Sequence, residues 1–180
     1  MTQINAATFS AFLLTAVVLF LMNNFPAIPV WAVFLSWACF FHVGGGEHPR
    51  LALLTVIMHM GLGAVAAWLS ALLLFANPFE NSLANQLWGP VTIGIAIAIL
   101  VRLSLIRWFA VTSAIIYGYA SIWAFLSLPD RFIPATLQSL SLDNAVVAIL
   151  LAILLGTCLG YLNTSLVKLL IVRFRGAEQG

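Results

Sequence analysis

Charge is what this chain has least of. Seven Lys and Arg and five Asp and Glu make up 7% of 180 residues, where a soluble domain carries about 25%. So few ionised groups cannot keep in water a chain that is 63% hydrophobic, with a mean hydropathy of +1.12. The bilayer is therefore its expected solvent. The same scarcity excludes a basic nucleic-acid surface, because a net charge of +2 comes from a handful of groups. Only two cysteines are present, Cys39 and Cys158, each inside an apolar run, which argues against a disulfide framework. Conventional enzyme chemistry is also missing. There is no phosphate-binding glycine loop, no pair of intramembrane carboxylates and no Ser-His-Asp or Cys-His set, so neither catalysis nor a cofactor is expected. The first residues, Met1 to Ser10, offer no positive stretch and no small-residue cleavage site after the apolar run. That run reads as a retained helix and not as a signal peptide.

What is abundant is apolar sequence, and its length allows about six spans of roughly 20 residues. The expected fold is an all-α integral membrane protein, a six-transmembrane-helix bundle forming a single domain over 1–180. The spans fall at about 6–22, 30–43, 51–76, 91–106, 108–126 and 145–166. Asn77-Pro78 ends the third, and a polar loop reaching Trp88-Gly89-Pro90 precedes the fourth. The fourth and fifth are joined almost without a loop around Arg107, and 132–142 reads as a mildly amphipathic interfacial stretch. With the N-terminus inside, the inner face receives Arg50, Arg102, Arg107, Lys168, Arg173 and Arg175, and the outer face Arg131 alone. That distribution obeys the positive-inside rule and puts both termini in the cytoplasm. Three spans per half would run the halves in opposite directions, as in inverted-repeat transporters. Trp31 with Trp108, and Leu62-Gly63 with Leu159-Gly160, suggest such a repeat.

The densest chemical punctuation is Trp37 to Arg50. It holds His42, the triplet Gly44-Gly45-Gly46, Glu47, His48 and Arg50. Two readings stand: a broken helix whose freed carbonyls meet a solute, or a surface loop in which Gly44 closes the second helix. The charged neighbours favour the loop.

Polar residues inside spans are costly and therefore informative. Thr55, His59 and Gly63 share one face of the third span, as do Ser113, Tyr117 and Ser121 in the fifth. Tyr161, Asn163 and Thr164 cluster late in the sixth. Together they read either as the lining of a solute path or as groups that satisfy one another between helices. Small residues mark packing faces: Gly63 and Ala67, Gly156 and Gly160, and Ala110, Ala114 and Gly118. His42, His48, His59, Cys39, Glu47, Met58 and Met60 are ligand types for a metal, but their spacing matches no ligand motif. No metal site is assigned.

Ser36-Trp37-Ala38-Cys39-Phe40, followed by a Gly-rich turn and a basic residue, resembles the YcdZ-like family of small bacterial inner-membrane proteins, a domain of unknown function. The likeness runs from about Pro29 to Leu170 and continues through Leu159-Gly160-Tyr161 and the basic tail. Where that family opens its fifth span with a Pro-Gly step, this chain has Trp108-Phe109-Ala110. Pro29-Val30-Trp31-Ala32-Val33 is similar, more faintly, to the membrane domains of aromatic-acid exporters. The first resemblance implies a bacterial inner membrane, the second transport.

The expected function is a small-solute channel or compact secondary transporter acting as a homo-oligomer in the lipid bilayer. Thr55, His59, Ser113, Tyr117 and Asn163 would contact the solute, with His42 and Gly44 to Gly46 at the inner mouth. The alternatives are a non-transporting accessory subunit of a membrane complex and a metal-binding membrane protein.

Overall fold

The computed structural model describes residues 2–80, 83–139 and 141–176, with side chains as far as residue 174. Arg175, counted above among the inner charges, has its side chain outside the described residues. The described chain is all helical, with no strand. It comprises α1 (Gln3–Met22), α2 (Val30–His42), α3 (Pro49–Phe75), α4 (Leu83–Leu103), a 3-10 turn (Arg107–Phe109), α5 (Thr112–Leu126), α6 (Pro134–Gln138) and α7 (Ala145–Gly176). Four of these, α1, α3, α4 and α7, are long and apolar enough to cross a membrane. Helices α2 and α5 are apolar but have only 13 and 15 residues, about 20 and 23 Å of helix.

Apolar residues surround α1 and α4 on all sides, so neither helix has a polar face to turn toward water. Phe9, Phe12 and Phe20 on α1, and Val91, Ile95 and Ile99 on α4, point outward. An apolar exterior of that extent belongs in lipid. The chain is a membrane protein.

Helices α3 and α7 form the centre. Helix α5 packs along α3, α2 packs along α7, and α4 and α1 lie outside α3 and α7 respectively. Their directions follow from particular contacts. On α7, Gly156 meets Val33, Gly160 meets Phe40, and the Thr164 hydroxyl donates to the Gly45 carbonyl, so α2 and α7 run parallel. The His59 ring lies against Phe109, Gly63 meets Ile115 and Tyr119, and the Tyr119 hydroxyl reaches Ser70, so α3 and α5 run parallel. A six-residue turn joins α2 to α3, which are in contact and run opposite ways. It follows that α2 opposes α5 and α3 opposes α7.

The buried positions repeat across this arrangement. On α2, Ala32, Val33, Ser36, Trp37, Cys39 and Phe40 are buried. Moving each on by 82 residues gives Ala114, Ile115, Gly118, Tyr119, Ser121 and Ile122, every one buried on α5. The nine buried residues of α3, moved on by 93, fall on nine buried positions of α7, from Ala145 to Thr164. Gly63 therefore corresponds to Gly156, not to Gly160 as the Leu-Gly pairs suggested. The pairing of Trp31 with Trp108 also fails, because Trp108 lies in the 3-10 turn and not in α5.

The small-residue faces are used up within this packing. A Cβ on Gly63 would run into the Ile115 carbonyl, one on Gly118 into the backbone of Met60, and one on Gly156 into the Val33 carbonyl. Backbone meets backbone at all three places. Ala67 is fully buried as well. Ala110, by contrast, is exposed in the connector before α5 and shares no face with Ala114 and Gly118.

Several boundaries differ from those expected. Helix α4 is already formed at Leu83 and runs through Pro90, which lay in a loop on the sequence reading. The proline removes one ladder hydrogen bond, while the Trp88 indole donates to the Leu73 carbonyl and fastens this end of α4 to α3. Helices α4 and α5 are separated by residues 104–111 and do not abut at Arg107. Among the described residues of 132–142 the only helix is the short α6, which turns Thr136 and Leu137 into the bundle and leaves Pro134, Ala135 and Gln138 exposed. The Leu137 carbonyl accepts from the Trp68 indole at 2.8 Å and from the Asn144 amide at 3.1 Å, which ties α6 to α3 and to the residue before α7.

Candidate functional site

Of the two readings of Trp37 to Arg50, the turn after α2 takes the form of the surface loop. Helix α2 closes in a Schellman arrangement, with Gly44 N–H donating to Phe41 O and Gly45 N–H to Phe40 O. Gly44 has φ +91°, a conformation that favours glycine. Gly45 is buried beneath the Phe40 ring, where a Cβ has no room. Gly46, Glu47, His48 and Arg50 are exposed. The stretch is thus a surface turn with one glycine anchored in the bundle.

His42, the last residue of α2, places Nε2 3.2 Å from the Ser113 hydroxyl at the start of α5, and its ring lies edge-on to Tyr117. His59 sits ten residues into α3, about 15 Å of helix from Pro49, and is 5% exposed. Its Nδ1 is 2.7 Å from the Thr55 carbonyl. A carbonyl only accepts, so Nδ1 carries the proton, and in the neutral ring Nε2 is a bare acceptor. That nitrogen is buried and has no hydrogen-bond partner among the described residues. An unpaired buried polar atom costs about 1–3 kcal/mol, so this is the most expensive polar feature of α3. Phe109 of the 3-10 turn lies edge-on to the ring, a neighbour 50 residues away that no local pattern marks.

The expected path is therefore gathered in part. His42, Ser113 and Tyr117 form one cluster where α2 ends and α5 begins. Thr55 and His59 form a second on α3, under the connector before α5. Asn163 belongs to neither. It faces the groove between α1 and α7, in a cavity of 370 Å³ shared with Thr164, Lys168 and Gln3. Ser121, on the expected α5 face, is buried and donates to the Tyr117 carbonyl of its own helix. Tyr161 lines a separate recess with Glu47, His48 and Arg50. Among the described residues no three His, Cys, Asp or Glu side chains converge as a metal site would require.

The family described as "Protein of unknown function (DUF1097)" matches residues 8–168, nearly the whole chain. The chain belongs to this family. The match extends from within α1 to Lys168 of α7, so it takes in both clusters and the α7 side of the α1–α7 groove as far as Lys168, and leaves out Gln3. No curated protein and no solved structure matches the chain.

Proposed function

We propose that the chain is a compact solute channel or secondary transporter of the bacterial inner membrane, built from two inverted three-helix repeats. In this reading α1–α2–α3 and α4–α5–α7 each cross the bilayer three times, with both termini cytoplasmic, and the protein works as a homo-oligomer. The resemblances to YcdZ-like proteins and to exporter membrane domains fit that setting. The observation that carries the proposal is the recurrence of fifteen buried positions at fixed offsets in helices of opposite direction. Inverted repeats of this kind place solute sites where the repeats meet, beside interrupted helices. Helices α2 and α5 are the short ones of each repeat, and His42, Ser113 and Tyr117 lie where they touch. His59 offers an unsatisfied acceptor next to the connector that opens α5, suited to a solute that donates a hydrogen bond.

Tight packing favours a second reading. The backbone contacts at Gly63, Gly118 and Gly156 keep the α3–α5 and α2–α7 seams closed, as in a non-transporting accessory subunit. Osmotic swelling of proteoliposomes with a panel of small neutral and anionic solutes separates the two, comparing wild type with His59→Ala. Selective permeation lost in the variant supports a path past His59. Permeation unchanged in the variant keeps the channel but moves its path. No permeation to any solute sinks the transport reading in favour of the accessory one.

A further inference from the structure

The groove between α1 and α7 has a polar end and an apolar track, and nothing in the transport reading uses it. At the polar end Asn163 is 7% exposed, lines the 370 Å³ cavity, and its amide has no hydrogen bond to any described residue. Thr164 and Lys168 lie beside it on α7, and Gln3 faces them from α1. Apart from the Thr164 hydroxyl, which is already turned to Gly45 O, these groups offer unpaired donors and one cation. Among the described residues no carboxylate lines the cavity. The neighbouring Glu47 faces a different recess.

From there the groove continues along α7 into a wholly apolar cavity of 240 Å³ lined by Leu14 and Val18 of α1 and by Leu155 and Leu159 of α7. Leu155 to Lys168 spans about 20 Å of helix, more than half of a hydrocarbon core about 30 Å thick. Dimensions and polarity both describe an amphiphile with an anionic head.

The other half of the molecule supplies the contrast. The α3–α4 groove encloses 420 Å³ and is lined by the corresponding residues, with Leu62 and Ala66 where α7 has Leu155 and Leu159, and Ala96 and Leu100 where α1 has Leu14 and Val18. Its polar positions have been replaced: Ser70 stands for Asn163, Ala71 for Thr164 and Phe75 for Lys168. Ser70 also spends its hydroxyl on the Ala66 carbonyl. Both grooves keep an apolar track, with smaller residues on the α3–α4 side, but only the α1–α7 groove carries an amide and a cation at these head-end positions of its central helix.

We propose that the α1–α7 groove binds an anionic phospholipid, its head group held by Asn163 and Lys168 and an acyl chain lying along Leu155 and Leu159. Basic recesses between membrane helices recognise lipid head groups in this way. The test is native mass spectrometry of the purified full-length protein after delipidation and titration with phosphatidylglycerol, phosphatidylcholine or inorganic phosphate. Wild type should retain phosphatidylglycerol over phosphatidylcholine. Lys168→Gln should lower that preference about fivefold, the worth of one cation at a membrane surface, and Asn163→Ala should lower it by about the same factor through the loss of one hydrogen bond to the head group. Arg107→Gln removes an exposed cation at the same end of the bundle and should leave the preference unchanged. Equal retention of the two lipids by wild type overturns the proposal, as does an equal loss in Arg107→Gln, which would mean diffuse surface attraction. Inorganic phosphate displacing the lipid would reassign the site to a soluble anion. Asn163→Ala removes atoms without filling space, so a fold intact by circular dichroism is expected, and Lys168→Gln alone suffices if it is not.

Discussion

Substituting Gly63 by Ala puts a methyl group where α3 and α5 touch backbone to backbone. The obstacle is the Ile115 carbonyl, with the Tyr119 nitrogen just behind it, and neither can rotate away. Overpacking of this kind costs about 1–3 kcal/mol, and a rigid neighbour places it at the upper end. Alanine recovers up to about 1 kcal/mol of helix propensity, so the net loss should be about 2 kcal/mol. Gly94, inside α4, provides the control, since a Cβ there meets nothing within 4 Å. Gly94→Ala keeps the propensity gain without the clash. The two variants should differ by about 3 kcal/mol, or about 6–12 °C at a few degrees per kcal/mol for a chain of this size. Thermal unfolding in detergent, followed by tryptophan fluorescence, reads that difference. Gly156 occupies the corresponding place against Val33, so Gly156→Ala should cost about as much, and the double variant about the sum, because the contacts are separate. A Gly63→Ala protein as stable as Gly94→Ala would refute the close approach of α3 and α5. Unequal costs at Gly63 and Gly156 would count against the repeat.

Other outcomes follow from the same contacts. His59→Leu removes the unpaired acceptor, so a purely structural histidine predicts a protein as stable as wild type or up to about 2 kcal/mol more stable, and a solute contact predicts lost permeation besides. Trp68→Phe deletes the hydrogen bond to Leu137 O; stability should fall by about 1 kcal/mol, with hydrogen exchange accelerated over 134–144 and unchanged in α1. Ser36→Ala loses the buried hydroxyl's bond to the Ala152 carbonyl and should cost about 0.5–1.5 kcal/mol in the same unfolding assay. For the six-span topology, single cysteines replacing His48 and Trp108 should react with an impermeant maleimide from one side of the membrane, and one replacing Asp130 from the other. Labelling of Trp108→Cys and Asp130→Cys from the same side would remove one crossing.

Much of the fold was legible before any coordinates. Helices α1 and α3 start and end close to the expected limits, and α7 starts where expected but runs ten residues further, because a lipid-facing helix needs only a sustained apolar run. The cap at Gly44 was legible for a local reason, since a left-handed φ asks for glycine. Pro90 misled because α4 tolerates a missing hydrogen bond while its end is held by Trp88 on α3, a contact between residues 15 apart in sequence. The site was less legible. Thr55, His59, Ser113 and Tyr117 were singled out by periodicity, yet periodicity places a residue on a face without saying which helix it meets. Hence Asn163, grouped with them by polarity, turned out to face α1.

By itself, the sequence determined the solvent. With 7% charged residues and apolar runs of helical length, every backbone polar group must be satisfied within helices, and no knowledge of packing is needed to see it. Tertiary structure decided which helices touch. Apolar helices in lipid gain nothing by hiding leucine from leucine, so their pairing rests on how closely two backbones can approach. The glycine at 63 fits the carbonyl at 115, and the glycine at 156 fits the carbonyl at 33. Those matches of shape join residues 52 and 123 positions apart, and hydropathy along the chain carries no trace of them.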